Sequence, residues 1–354
     1  MTTIAAVRGV LPEHRYRQDE ITPMFGSLLA DPERVRVLER LHASAQVQTR
    51  HLVLPLDSYP ELMDFGTAND AWLEHAVTLG TEAISGALDD AGLTPEDVDV
   101  IFSTTVTGVA APSVEARIAN RLALRPDVKR VPMFGLGCVA GAAGVARLHD
   151  YLRGAPGEVA VLLSIELCSL TMQRGDDSTA NLVATGLFGD GAAAVVAVGN
   201  DRVARTPQVS GPDVLDSRSH LYPDTERTMG WDVTGTGLTI VLDANVPELA
   251  HRFLGPDVRD FLAAHDLTIE DVSTWVCHPG GPKVIEAVEQ ALGLGPDALE
   301  LTRRSLAGVG NLSSASVLHV LSDTLHKQPP AGTPGVMIAM GPGFCSELVL
   351  LRWR

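Results

Sequence analysis

Val131-Pro-Met-Phe-Gly-Leu-Gly-Cys-Val-Ala-Gly-Ala-Ala-Gly144 is the stretch whose reading decides the fold. Residues 131–134 suit a short strand. Residues 135–144 are nearly all tiny, and they lead into a helix expected to end near Arg153. A strand turning into a helix through tiny residues is an α/β unit whose backbone can approach a neighbour closely. Outward from it, Val98–Ser103, Val159–Ser164 and Ala192–Val198 read as buried strands. Residues 74–92 carry apolar side chains at three- and four-residue intervals. Gly92 and Pro95 then predict the end of that helix. After a Pro/Gly/Asp-rich stretch at 206–224 the pattern returns. Residues 258–265 and 281–292 read as helices, and 274–277, 336–340 and 347–351 as strands. Asn311-Leu-Ser-Ser-Ala315 is a second tiny-residue start to a helix. The repetition predicts two related halves, 1–200 and 201–354, that meet at one site.

The bulk composition narrows the function. The chain has 354 residues, 45% of them hydrophobic, enough for a large core. Lys plus Arg number 27 against 44 Asp plus Glu, a formal charge of −17. That balance argues against nucleic acid as the main partner. Cys138, Cys168, Cys277 and Cys345 form no CxxC pair, which argues against a disulfide-stapled secreted scaffold. There is no leader pattern and no run of 18 uncharged apolar residues. A cytoplasmic protein without a stable membrane span is expected.

Three residues stand out chemically. Cys138 sits where a strand becomes a helix, and the free amides and dipole of a helix start favour a thiolate. The competing reading is an inert buried cysteine. His278 ends the strand Thr274–Cys277 and precedes Pro279-Gly-Gly-Pro282, so its imidazole is placed to face a cavity. Asn311 has two readings: an amide donor to a developing oxyanion, or a cap on the helix that follows. Gly135-x-Gly137-x-x-Ala140 partly matches a dinucleotide turn, but no acidic ribose ligand follows at a strand end, so no such cofactor is expected. A zinc site of Cys138, Cys168, Cys277 and His278 is disfavoured, because adjacent Cys277 and His278 should point to opposite faces of a strand.

These features occur together, and in order, within GLGCVAGAAG (135–144), LFGDGAAAVV (187–196), VCHPGGPKVIEAVE (276–289), GNLSSASVLHVL (310–321) and MGPGF (340–344). Across nearly the whole chain the sequence resembles the type III polyketide synthases, the chalcone synthase-like enzymes of the thiolase-like superfamily. The resemblance implies an α/β thiolase-like fold of duplicated αβαβα halves in five layers, and a homodimer. It implies a Cys138–His278–Asn311 triad, Phe188 as an aromatic gatekeeper, and acyl-CoA and malonyl-CoA as substrates. No metal or other cofactor is implied. A ketoacyl-ACP synthase shares the fold, but the wording at 278–282 and 310–314 favours type III.

The resemblance maps the family's cavity positions to Val106, Cys168, Thr171, Trp231, Ile240 and Ser313, and to Ala111 the position that reaches into the partner's cavity. Arg40 and Lys283 map to the CoA tunnel mouth. Aliphatic replacements among them, and wording similar to actinobacterial enzymes, predict a fatty acyl starter and alkylresorcinol or alkylpyrone products. The alternatives within the family are tetrahydroxynaphthalene, germicidin-type pyrone and dihydroxyphenylacetyl-CoA synthases.

Overall fold

The layering follows from alternation within the strands. The computed structural model describes residues 1–62, 64–209 and 211–354. Its strands are β1 (Thr2–Val10), β2 (His14–Arg17), β3 (Thr49–Leu52), β4 (Val100–Thr105), β5 (Lys129–Phe134), β6 (Val159–Leu167), β7 (Asp190–Gly199), β8 (Asp213–Leu221), β9 (Met229–Thr234), β10 (Gly237–Leu242), β11 (Thr274–Cys277), β12 (Pro334–Gly341) and β13 (Cys345–Arg352). Nine of them form one sheet in the order β11-β12-β13-β8-β1-β7-β6-β4-β5. In β7, Ala193, Val195 and Ala197 face an inner core, while Ala192, Ala194, Val196 and Val198 face an outer one. In β13, Val349 and Leu351 face the same inner core, and Leu348 and Leu350 face a second outer one. Period-two burial on both faces is what a helix-covered sheet requires.

The inner core joins the two halves. The helices Ala140–Gly154 and Ser316–Lys327 lie in it and pack against strands of both halves. The long helix Phe65–Ala91 covers the outer face of the first half, and Val246–Ala263 with Pro282–Leu292 covers that of the second. Helix, sheet, helix, sheet, helix gives the five layers of the thiolase-like fold. The two halves' strands touch at one seam only, where Thr2 and Thr3 of β1 pair with Val214 and Asp213 of β8.

Two expectations are corrected. The stretch 206–224 is not simply a connecting segment. It holds β8, which pairs with β13 from Leu221↔Cys345 to Asp213↔Arg352. Its polar wording, Asp-Val-Leu-Asp-Ser-Arg-Ser-His-Leu, hid a strand that is half-buried along most of its length. The helix placed at 74–92 begins earlier, at Phe65, where Asp64 caps it by accepting from the Thr67 amide at 2.9 Å.

The two tiny-residue helix starts meet each other. A Cβ on Gly141 would lie 2.2 Å from the Ser314 carbonyl oxygen and 2.6 Å from a Val317 methyl. Backbone cannot yield as a flexible side chain can. Gly141→Ala is therefore expected to cost about 1–3 kcal/mol. The check is the urea midpoint, with Gly154→Ala, where nothing lies within 4 Å, as the comparison.

Candidate active site

Close approach of those two helix starts sets the site. Cys138 occupies a single 3-10 turn, Gly137–Val139, just ahead of the helix Ala140–Gly154. Gly137 has φ +56°, and a Cβ there would meet the Pro342 ring at 2.7 Å. The Cys138 thiol donates to Ser313 Oγ at 3.6 Å. Ser313 holds a left-handed backbone conformation, φ 47°, uncommon for a residue with a side chain.

Both side-chain atoms of Asn311 are engaged. Its Oδ1 accepts from the Ser313 amide at 2.8 Å and steadies the start of the turn Ser313–Ala315. Its Nδ2 donates to the Gly280 carbonyl at 3.3 Å, in the loop that carries His278. One N–H of that amide is left for another acceptor. The Asn311 amide donates to the Leu187 carbonyl at 2.8 Å, and the Gly189 amide donates to the Asn311 carbonyl at 3.0 Å. Phe188 and Asn311 thus form a parallel bridge, so the aromatic ring and the amide are positioned as one unit.

His278 follows β11, its amide bonded to the Ile338 carbonyl at 2.9 Å. Its neighbour Cys277 points into the outer core, as strand alternation expects, so the two cannot share a metal. Among the described residues there is no cluster of three metal-ligating side chains. His278 is buried, and neither ring nitrogen has a hydrogen-bond partner among the described residues.

A cavity of about 490 Å³ brings these groups together. Cys138, His278, Asn311, Ser313, Phe188, Trp231 and Ile240 line it, and Lys283 lines it from the start of the helix Pro282–Leu292. Trp231 and Ile240 are direct cross-strand partners in the β9–β10 hairpin, which makes them one wall. The same two residues and Phe188 also line a second pocket of about 30 Å³ that contains Cys168 and Thr171.

Val106, Ala111 and Arg40 line neither space within one chain. Val106 is buried, with its amide donated to Glu166 Oε2 at 3.1 Å, and lines neither space. Ala111 is exposed in the loop before Pro112. Arg40 is exposed on the helix Pro32–Ser44, whose Leu41 and Ser44 line the cavity instead. Val106, Ala111, Cys168 and Ile240 therefore do not form a continuous aliphatic tunnel within one chain.

Burial acts against charge on both groups. It pushes the Cys138 thiol up to about 12, and the Glu166 carboxyl adds to the rise. Burial alone takes His278 down to about 3. A neutral imidazole with free nitrogens can accept the thiol proton as a thioester arrives.

Glu166 was not singled out from sequence. It is fully buried, and its carboxyl accepts from the Val106 amide, Thr107 Oγ1 at 3.0 Å and Ser314 Oγ at 2.5 Å. Burial raises it to about 7. The signal available was a lone acidic residue inside the apolar run 159–167.

His42 shares the fate of His278. It is buried between Thr22 and Thr185 and lowered to about 3, chiefly by burial. Both imidazoles stay neutral when folded but take up a proton near pH 6.5 when unfolded. Between pH 6.5 and 3 the unfolded chain binds more protons, so stability falls as pH is lowered through that window. The slope is about 1.4 kcal/mol per pH unit per histidine. His42→Gln is expected to flatten this acid limb by one proton, read from urea midpoints across the window.

Comparison with known proteins agrees with this geometry. Residues 1–202 match the family model described as chalcone and stilbene synthases, N-terminal domain. Residues 213–353 match the corresponding C-terminal domain. The chain is 57% identical to a 1,3,6,8-tetrahydroxynaphthalene synthase of Streptomyces peucetius subsp. caesius, over 99% of this chain and 93% of that enzyme. It is 34% identical to a putative chalcone synthase of Bacillus subtilis, over 100% of this chain and 99% of that protein. The crystal structure of the 1,3,6,8-tetrahydroxynaphthalene synthase of Streptomyces coelicolor A3(2), a bacterial type III polyketide synthase, superposes with a TM-score of 0.93 at 30% identity, covering 99% of both chains. With two family models together spanning almost its whole length, the chain belongs to the chalcone and stilbene synthase family, the type III polyketide synthases.

Proposed function

We propose that this enzyme condenses malonyl-CoA with itself to give a polyhydroxylated naphthalene, as a tetrahydroxynaphthalene synthase. The observation that carries this reading is the 57% identity, over 99% of the chain, to an enzyme of that name. It replaces the alkylresorcinol and alkylpyrone reading. That reading needed an aliphatic tunnel. Cys168, Thr171, Trp231 and Ile240 do share one pocket, but at about 30 Å³ it is too small for a fatty acyl chain.

In the proposed chemistry Cys138 gives its proton to His278 and attacks a thioester carbonyl, releasing CoA. A second malonyl-CoA then loses carbon dioxide. The electron pair of the broken C–C bond becomes an enolate whose oxygen accepts from Asn311 and from His278, which carries the proton taken from the thiol. The enolate carbon attacks the acyl-cysteine carbonyl, the Cys138 sulfur leaves, and a β-ketoacyl-CoA results. Ten ring carbons divide into two-carbon units, so repetition supplies the naphthalene skeleton once the starter's carboxyl is also lost as carbon dioxide and ring closure expels the last CoA. Phe188 separates the CoA side of the cavity from the Trp231–Ile240 wall, and Lys283 and Arg40 meet the CoA phosphates. The halves 1–200 and 201–354 supply nucleophile and oxyanion donors respectively.

The working form is a homodimer. Support comes from β5, an edge strand exposed along most of its length, with Phe134 56% exposed. A bare apolar edge calls for cover.

The test is product analysis by mass spectrometry with malonyl-CoA alone and with a ladder of acyl-CoA starters. A naphthol from malonyl-CoA alone is expected. Alkyl-tailed pyrones or resorcinols that rise with starter length, with no malonyl-only product, would return the chain to the fatty-starter group.

A further inference from the structure

Behind the Phe188–Trp231–Ile240 wall lies the second pocket, and one of its lining residues is Arg50. Arg50 is 1% exposed. Its Nη1 donates to the Phe188 carbonyl at 2.7 Å. Its Nε and Nη2 are buried and have no acceptor among the described residues. A buried guanidinium with idle donors is costly unless an oxyanion meets it. The only buried carboxylate that bears on its charge is Asp190, which is already engaged. It accepts from the Ser169 amide at 2.8 Å, from Ser169 Oγ and from the Val53 amide at 2.9 Å. No ion pair within 4.0 Å joins it to Arg50 among the described residues.

The other polar side chains of the pocket are also committed. Thr171 donates to the Cys168 carbonyl at 2.8 Å, Thr185 to the Leu182 carbonyl at 2.9 Å, and Asn181 to the carbonyls of Gln173 and Asp176. Arg50 is thus the group with donors to spare. The space, about 30 Å³, has room for about two water-sized groups, the measure of a carboxylate and too little for an alkyl chain. Phe25, Leu52 and Met172 make the rest of the lining largely apolar, so a charge arriving there is poorly screened and strongly felt.

We propose that this pocket, through Arg50, receives the distal carboxylate of a dicarboxylic acyl starter carried on Cys138. The inference rests on the reading above, in which malonyl-CoA is the starter, and it assigns Arg50 as the residue that selects it. A planar guanidinium suits a carboxylate better than any other side chain. Phe188, whose own carbonyl Arg50 holds, lines both spaces, so the proposal requires its ring to move aside for the starter.

The test separates starter selection from product chemistry. Cys138 loading is measured by peptide mass spectrometry with succinyl-CoA, a dicarboxylic thioester that does not decarboxylate in this way, and with neutral pentanoyl-CoA. Arg50→Met is expected to lower succinyl loading by at least about thirtyfold and to leave pentanoyl loading within about threefold. Arg50→Lys is expected to fall between. Ala184→Leu, which narrows the pocket without touching the charge, is expected to lower the succinyl-to-pentanoyl ratio as well. Equal loss of both loadings in Arg50→Met, or no preference for succinyl over pentanoyl in the wild type, would overturn the proposal. If Arg50→Met does not fold, an unchanged ratio in Ala184→Leu overturns it. Failure of the wild type to form a naphthol from malonyl-CoA alone would sink the product reading, while the loading ratio still decides the role of Arg50.

Discussion

Cys138→Ala is expected to remove polyketide formation altogether, by about ten-thousandfold or more, while malonyl-CoA decarboxylation continues. The two activities separate because they use different parts of the site. The thiol is the attachment point of the chain, and nothing nearby replaces it. Cys168 and Cys277 are buried, and burial pushes both thiols well above the ordinary range. Cys345 donates to the Gly341 and Pro342 carbonyls. In the proposed chemistry decarboxylation needs only donors at the thioester oxygen, and in the variant these are the Asn311 amide and the one N–H of a neutral His278. The variant should also keep its stability, since the thiol makes one weak hydrogen bond, to Ser313 at 3.6 Å. Loss of both activities together would show that the thiol orders the site rather than carrying the chain.

The second large effect lies with His278 and Asn311. His278→Ala and Asn311→Ala are each expected to slow decarboxylation by about a hundred- to a thousandfold. The double variant should be little worse than either single one, because the two groups serve one oxygen. Capping by Asn311 complicates the alanine variant, since Oδ1 holds the Ser313 amide. Asn311→Asp resolves the two roles. An aspartate keeps the capping oxygen and loses the N–H that Nδ2 supplies. It should lose decarboxylation while staying folded, its urea midpoint lowered by the lost donation to the Gly280 carbonyl. Retained decarboxylation in Asn311→Asp would reduce Asn311 to a cap.

Much of this was legible in the sequence, and for a physical reason. Tiny residues at 137–144 and 310–316 are needed wherever two backbones touch, and the Gly141–Ser314 contact is that touch. Strand alternation placed His278 toward the cavity and Cys277 away from it. What could not be read is what depends on burial. The helix start at Cys138 speaks for a thiolate, while burial, which only the fold shows, pushes the thiol up. Glu166 looked like one acid among many, and only the fold shows three donors converging on it. β8 was hidden because its side chains are largely polar, while its place in the sheet comes from backbone pairing with β13. The cavity positions were the least legible. Family correspondence says which residues vary, but not that Cys168 and Thr171 share a separate small pocket with Trp231 and Ile240.

Trapping the covalent intermediate tests the account most directly. The enzyme is mixed with malonyl-CoA, quenched in acid within a turnover, digested and mapped by peptide mass spectrometry. Acyl adducts on the peptide that contains Cys138 are expected, growing by two-carbon keto units as the reaction proceeds. Adducts on Cys168, Cys277 or Cys345 with Cys138 unmodified, or product formed with no acyl-enzyme at any time, would contradict it.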